Sequence, residues 1–497
     1  MMNDDVPSGY STRLYNDDLA PRKGPGTWKT GNLFNWWMSA WHSLADYTAA
    51  VSLLALGLLG WQLAFALCLG VVVIYLISNL AGVAGQKIGV PFPVFARISF
   101  GVFGANIPAL LRAIVAVAWY GIQTYLASQV ILVLAVKTIP SAESLLGPSF
   151  LGLSALGWIS FLLLWSAQLF VLHRGMESIR RLSDFAGPAI WVAMIALTIW
   201  TLHRAEWTID WSYHVGSVPL GAGDTVIQIL AAASLIVALL SGPVLNFSDF
   251  TRLASSRRSV IRGNQLGLLV NGIAFCLVSV VITLASVRVY GKAINDPIIL
   301  ISEIDNITVL LLAILAVGIS TAGINIILNF VSPAFDFANI APRHIDFKKG
   351  GLITAILSVV ILPWNLYSNP VVISVFLGGI GALMGPLFGI MMADYYLIRR
   401  GRVTIAHLYT EDPSGKYFYT RGFNKNSVAA LIISGIATLA IAFIPAMHAL
   451  APFTWPLGTT LGAIVCLAIN RLRPNTPDNI TETPATALQP TKTQTTL

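Results

Sequence analysis

Apolar runs of about 20 residues recur along the chain, separated by short segments that hold most of its charged side chains. A helix of that length crosses a hydrocarbon core of about 30 Å while satisfying its own backbone hydrogen bonds. The pattern predicts spans near 34–59, 62–84, 104–136, 151–172, 182–203, 224–248, 264–288, 306–331, 350–368, 370–397, 427–447 and 450–470. The expected fold is therefore an all-α integral membrane protein of about 12 transmembrane helices. Residues 1–33 are polar and hold no apolar core of a cleavable signal, so they read as a cytoplasmic arm. Residues 34–471 read as one membrane domain, and the Thr- and Pro-rich stretch 472–497 as a disordered cytoplasmic tail.

Two of these spans carry interruptions. The first holds Trp41, His42, Ser43 and Asp46 in mid-membrane, and the sixth holds Ser241-Gly242-Pro243 followed by Asn246, Ser248 and Asp249. Proline frees helix carbonyls, and irregular backbone is tolerated at membrane depth where it is buried or lines a cavity. Spans one and six are equivalent if residues 34–203 and 224–397 form two inverted repeats, with 427–470 as added helices, and paired interruptions then point to a central binding site. A Pro kink without a site is the plainer alternative. Gly381, Gly385 and Gly389 repeat every four residues and read as a flat face for close helix packing.

Composition narrows the class. The 497 residues are 56% hydrophobic and 10% charged, with a mean hydropathy of +0.74, values no water-soluble domain of this size carries. The net charge of +8 does not imply nucleic acid, because the basic residues follow the loops. With the N-terminus inside and 12 alternating spans, only Lys137, Arg204, Arg288 and Lys292 fall outside, leaving the other 26 of the 30 Lys and Arg inside. Both termini are expected in the cytoplasm, in a bacterial inner membrane. Cys68, Cys276 and Cys466 fall in separate spans and read as small core residues. The chain has no HExxH or GxSxG motif and no clustered metal ligands, so neither an enzyme nor a firm metal site is expected.

Ionisable residues at membrane depth are costly and so are candidates for function. His42 and Asp46 stand four apart and could share or relay a proton, or make a structural hydrogen bond inside the bundle. Asp249 with Arg252, and Asp394 with Arg399 and Arg400, read as interfacial ion pairs. Trp119 and Gln123 lie four apart in the third span; an indole offers a face for a ring to stack on, and a carboxamide offers donor and acceptor to a ring edge. Asn325 and Asn329 repeat the spacing in the eighth span. Amides suit the alternating N–H and C=O edge of a uracil, hydantoin or purine, although singly they are more often helix–helix glue.

Several strings then resemble the nucleobase:cation symporter-1 family, which takes up hydantoins, allantoin, uracil, cytosine, purines and related vitamins. They are LYNDDLAP and TWKT in the arm, GVPFPVFARISFGVFGA after span two, AWYGIQTYLA in span three, NFSDFTR after span six, NFVSPAFDFANIAP in span eight and GPLFGIMMADYYLIRRGR closing span ten. ITLASVRVYG and FNKNSVAALI fit more weakly. The resemblance implies a leucine-transporter-like fold of ten core helices in two inverted repeats plus two, with alternating access by cation symport. It implies that Trp119 and Gln123 hold the substrate ring, that Asn329 binds its edge and that Asn325 is a nearby family asparagine.

The chain also departs from the family. A second stacking tryptophan of some members falls on Leu240. The sodium site implied by the resemblance uses main-chain carbonyls matching about Ser39 and His42, and Ser320, together with adjacent hydroxyls; those hydroxyl positions fall on Gly323 and Ile324, with Ser320 and Thr321 three residues upstream. Sodium favours oxygen ligands, so proton coupling through His42 and Asp46 is expected over sodium. The reading is a monomeric importer of a nucleobase-like heterocycle in a lipid bilayer, without cofactor. An amino-acid or amine/vitamin symporter on the same fold is the alternative, and a channel suits two interrupted helices less well.

Overall fold

The computed structural model describes residues 6–42, 44–147, 149–216, 220–294, 299–300, 318 and 321–474. Helices α1 (Thr30–Ala40) and α2 (Leu44–Ser52) form the broken first span, followed by α3 (Gly60–Ile88), the connecting α4 (Phe92–Phe100) and α5 (Asn106–Thr138). A two-residue hairpin, Ser149–Phe150 with Leu153–Ser154, precedes α6 (Ala155–His173) and α7 (Met176–Arg204). The sixth span is α8 (Ala222–Leu239), α9 (Ser241–Leu245) and α10 (Ser248–Thr251), and the seventh is α11 (Arg257–Asn264), a π turn and α12 (Asn271–Tyr290). Beyond it lie α13 (Val331–Ile340), α14 (Phe347–Val360), α15 (Pro363–Ser368), α16 (Pro370–Ala393), α17 (Lys425–Phe443) and α18 (Thr454–Leu472).

Nine helices among the described residues are long and apolar enough to cross a membrane. They correspond to nine of the 12 expected spans, and the remaining three each have a local reason. The first is broken between α1 and α2. Much of the eighth, 306–331, lies outside the described residues. The ninth, expected over 350–368, stops at Val360, where Leu362 takes a left-handed φ of 50° before Pro363 restarts the chain as α15. The sixth span, expected as one run over 224–248, likewise ends at Leu239. Pro243 has no N–H to offer the Leu239 carbonyl four residues back, and beside the break the Ser241 hydroxyl donates to the Ala238 carbonyl at 2.6 Å.

Lipid-facing positions remain apolar, as Val192, Ile436 and Phe65 illustrate, while α1 packs against α7 and α11, and α5 against α13. Helices α17 and α18 pack on α16. There Gly385 and Gly389 admit the Trp455 and Thr459 backbone so closely that a Cβ at either would collide with a carbonyl oxygen. Gly272 serves the break in the first span in the same way, because the Trp41 indole occupies the space of a side chain there.

The polar arm is docked rather than free. Leu14 and Leu19 are buried, Tyr10 stacks on Tyr409 with centroids 4.7 Å apart, and Arg13 pairs with Glu411 at 2.9 Å. Asn16 donates to the Pro342 and Ile345 carbonyls, Asp18 accepts from the Phe347 amide at 2.8 Å, and Arg22 donates to the Arg252 and Ala254 carbonyls. The arm therefore joins the end of the sixth span, the turn before α14 and the segment after α16.

Candidate functional site

The breaks in the first and sixth spans meet α5, the eighth span and α16 around one buried cavity. Its wall includes Asp46, Arg112, Trp119, Gln123, Leu240, Gly242, Pro243, Asn329 and Ile380. Five sequence candidates thus converge from four spans: Asp46, the pair Trp119 and Gln123, Leu240 and Asn329. The helix breaks explain the convergence, since Leu240 sits at the junction of α8 and α9 and Asp46 lies in the first turn of α2. The cavity leaves only 20 Å³ for the centre of a water-sized sphere, room for about one water. A ring can enter only if the walls move apart.

The polar equipment suits a heterocycle edge. Gln123 is 4% exposed and its Oε1 is buried without a hydrogen-bond partner. Asn329 donates from Nδ2 to Asn325 Oδ1 at 3.2 Å, which fixes its amide plane. Trp119 is half-buried, with Phe376 tilted beside it at 6.1 Å between centroids. Leu240, 2% exposed, supplies an aliphatic wall. A carboxamide oxygen aimed into a buried space needs a donor from elsewhere, and an N–H of a ligand ring meets that need.

Other candidates lie apart from the cavity. Asn325 donates to the Tyr120 carbonyl and to Thr124 Oγ1, both at 2.9 Å, so its role is to tie the eighth span to α5. His42 does not meet Asp46: its Nδ1 bonds the Met38 carbonyl, its Nε2 is buried without a partner, and its ring lies edge-on to Trp191 and Phe275. The spacing of four presumed a continuous helix, and the break at Trp41 removes that premise. Ser39 is buried against α7, beside Gly187. Gly323 faces Leu182 and Ala186, and Ile324 is buried in the apolar core. Thr321 is 1% exposed with its hydroxyl unpartnered, and Ser320 lies outside the described residues.

The expected Asp249–Arg252 ion pair is replaced by a different arrangement. Asp249 is fully buried and accepts from the Phe92 amide at 2.7 Å and from Asn246 Nδ2 at 3.2 Å. Arg252 instead donates to the Asp249 and Asp18 carbonyls. Asp394 and Arg399 do pair, at 2.9 Å, with Ser99 donating to the same carboxylate oxygen. Sequence reasoning missed Arg112, which by its position at the inner mouth of the third span marks only topology; it is 1% exposed and forms part of the cavity wall.

Residues 24–458 match the family model described as "Permease for cytosine/purines, uracil, thiamine, allantoin". The chain belongs to this permease family. It is 34% identical over 472 residues to the allantoin permease of Bacillus subtilis (strain 168), covering 93% of this chain and 94% of that one. It is 32% identical over 452 residues to the purine-uracil permease NCS1 of Arabidopsis thaliana, covering 89% of this chain and 74% of the relative. Among solved structures, Mhp1, a nucleobase-cation-symport-1 family transporter in a closed conformation with bromovinylhydantoin bound, is similar with a TM-score of 0.76 at 22% identity, covering 94% of this chain and 98% of Mhp1. A Na+-coupled sialic acid symporter shares the fold with a TM-score of 0.61 at 14% identity, covering 90% of each chain. The permease is thus a multi-pass membrane transporter of the leucine-transporter-like class, not an enzyme, and its family carries small heterocycles.

Proposed function

We propose that this permease imports allantoin or a closely related hydantoin-type heterocycle by proton symport, across a bacterial inner membrane with both termini in the cytoplasm and as a monomer. The observation that carries the reading is the convergence of Trp119, Gln123, Asn329 and Asp46 on one buried cavity. Trp119 offers a face to the ring, Gln123 and Asn329 read its alternating N–H and C=O edge, and Asp46 accepts from a further N–H. Leu240 opposite leaves one aromatic face in place of two, which favours a five-membered ring bearing a side group over a flat fused purine. Relatives named as an allantoin permease and a putative allantoin permease, at 34% and 32% identity, support the same substrate.

Proton coupling is favoured because Gly323 and Ile324 put no side-chain oxygen where the implied sodium site needs two. Thr321 keeps one buried hydroxyl without a partner, and that favours sodium as the second reading. Radiolabelled allantoin uptake into proteoliposomes, under a proton gradient and separately under a sodium gradient, separates the two. Competition by unlabelled hydantoin, uracil, cytosine, adenine and hypoxanthine ranks the rings. Accumulation driven by protons and blocked best by allantoin and hydantoin is expected; accumulation driven by sodium alone overturns the coupling, and no allantoin uptake overturns the substrate.

A further inference from the structure

Between the cavity and the face that carries the docked arm, a second group of polar side chains is closed off from water. Arg112 and Asn246 are each 1% exposed, and Asp249, Ser332 and Asp336 are fully buried. Arg112 donates from Nε to Asn246 Oδ1 at 3.2 Å and from Nη2 to the Leu328 carbonyl at 3.1 Å. Asn246 in turn donates to Asp249, whose other oxygen is held by the Phe92 amide. Both oxygens of Asp249 therefore have a donor. Neither oxygen of Asp336 has one.

Asp336 lies within electrostatic reach of both Arg112 and Asp249, so the cluster holds one guanidinium and two carboxyl groups, and one negative charge is left over if both carboxyls ionise. A buried carboxylate without donors or a paired cation is costly by several kcal/mol, and a proton removes the excess. Among the described residues, the charged groups around Asp336 offer no other remedy. Arg112 comes from α5 and Asp249 from the end of the sixth span; on α4, Arg97 is engaged by Asn339 and the Leu408 carbonyl. Lys348 and Lys349 on α14 are exposed, and Arg252 lies over the Phe335 ring while bonding main-chain carbonyls.

We propose that Asp336 is the binding site of the symported proton, with Arg112 connecting it to the substrate cavity. This rests on the proton-coupled reading above. Arg112 lines the cavity, and the carbonyl it bonds belongs to Leu328, the residue before Asn329. A ring bound at Asn329 shifts the acceptor that holds Arg112. The guanidinium then stands nearer to or farther from Asp336, so substrate and proton affect each other's binding by the same factor. Gly242 leaves space for this, since a Cβ there would stand 3.2 Å from the Arg112 Cζ. The proton enters as H+ from the outer side, converts the carboxylate to the acid, and leaves as H+ to the cytoplasm; no other bond changes.

The test uses full-length protein in proteoliposomes, with Asp336→Asn as a permanent mimic of the acid. Wild type under a one-unit pH gradient sustains about a tenfold allantoin accumulation for one proton per substrate. Asp336→Asn is expected to fall to about onefold while keeping gradient-free exchange of labelled for unlabelled allantoin, with a rate that no longer varies between pH 5 and 8. Wild-type accumulation in the variant, or loss of exchange together with accumulation, overturns the assignment. If the wild type itself accumulates only with sodium, the coupling reading fails before any variant is made, which keeps the two failures apart. Should Asp336→Asn not fold, infrared difference spectra of the wild type with and without allantoin still decide: a buried protonated carboxyl band that responds to allantoin supports the site, and its absence overturns it.

Discussion

Asn325 and Asn329 are joined by one hydrogen bond of 3.2 Å, donated by Asn329, and that bond separates their work. Asn325 spends its own amide on the Tyr120 carbonyl and Thr124, whereas Asn329 faces the cavity. Asn325→Ala removes both hydrogen bonds that tie the eighth span to α5, while Thr124 Oγ1 still donates to the Tyr120 carbonyl; the loss of about 1–3 kcal/mol should lower the apparent melting temperature in detergent. Asn329→Ala takes one donor from Asn325 Oδ1 and should lower melting by less than Asn325→Ala does, while raising the KM for uptake at least about tenfold, as for a lost ligand hydrogen bond worth about 1.4 kcal/mol. Thermal-shift and uptake measurements on both variants check the division.

Leu240 is the aliphatic wall of the cavity, at the junction of two helices. Leu240→Trp would place a second indole across from Trp119 and narrow a space already contracted to 20 Å³. The expected result is a switch of preference from allantoin toward flat rings such as uracil, read as the order of competition against labelled uptake. An unchanged order would mean that Leu240 does not face the ring.

The glycine series on α16 gives a graded packing test. At Gly389 a Cβ meets the Thr459 carbonyl, and backbone has little freedom to retreat. At Gly381 it would stand 3.0 Å from Thr454 Oγ1, the end of a side chain that can turn. Gly389→Ala should cost about 1–3 kcal/mol as an overpacked interface, and Gly381→Ala clearly less. Apparent melting temperatures of the two variants, side by side, check the order.

Asp18 in the arm provides a pH test outside the membrane. Burial holds its carboxyl above the usual aspartate range, against the opposing pull of the Phe347 amide and Arg252. A proton held more tightly in the folded than in the unfolded chain stabilises the fold below the unfolded value, and that benefit is lost as pH rises through the folded value. Asp18→Asn cannot ionise and keeps an oxygen for the Phe347 amide. Its melting temperature should gain on the wild type as pH rises through the aspartate range toward neutrality, then hold a constant lead.

Much of the arrangement was legible from local pattern. Apolar runs gave the helices, and Pro243 together with the polar string around His42 marked the two breaks. Residues whose role depends on position along one continuous helix, Trp119 with Gln123, were placed together without tertiary knowledge. The reading lost its footing where backbone departs from a regular helix. His42 turns away from Asp46 because α1 ends at Ala40, and Asn325 reaches α5 while Asn329, within a π turn, reaches the cavity. Arg112 and Asp336 were hidden for another reason. A basic residue near a span end serves equally as a topology marker or a buried ion, and only packing against Asn246 and Asp249 tells which.

The docked arm has a consequence for the order in which the molecule is assembled. Its partners lie about 230 to 400 positions downstream: Arg252 and Ala254, Pro342 and Ile345, and finally Tyr409 and Glu411. The arm leaves the ribosome long before these partners and must wait for the segment after the tenth span before it can settle fully. Contacts of such separation form late, after the loops between them are closed. Protection of the arm from protease therefore marks synthesis past Glu411, and a nascent protein arrested before Tyr409 should be cut within the arm even though every span it contains is already inserted.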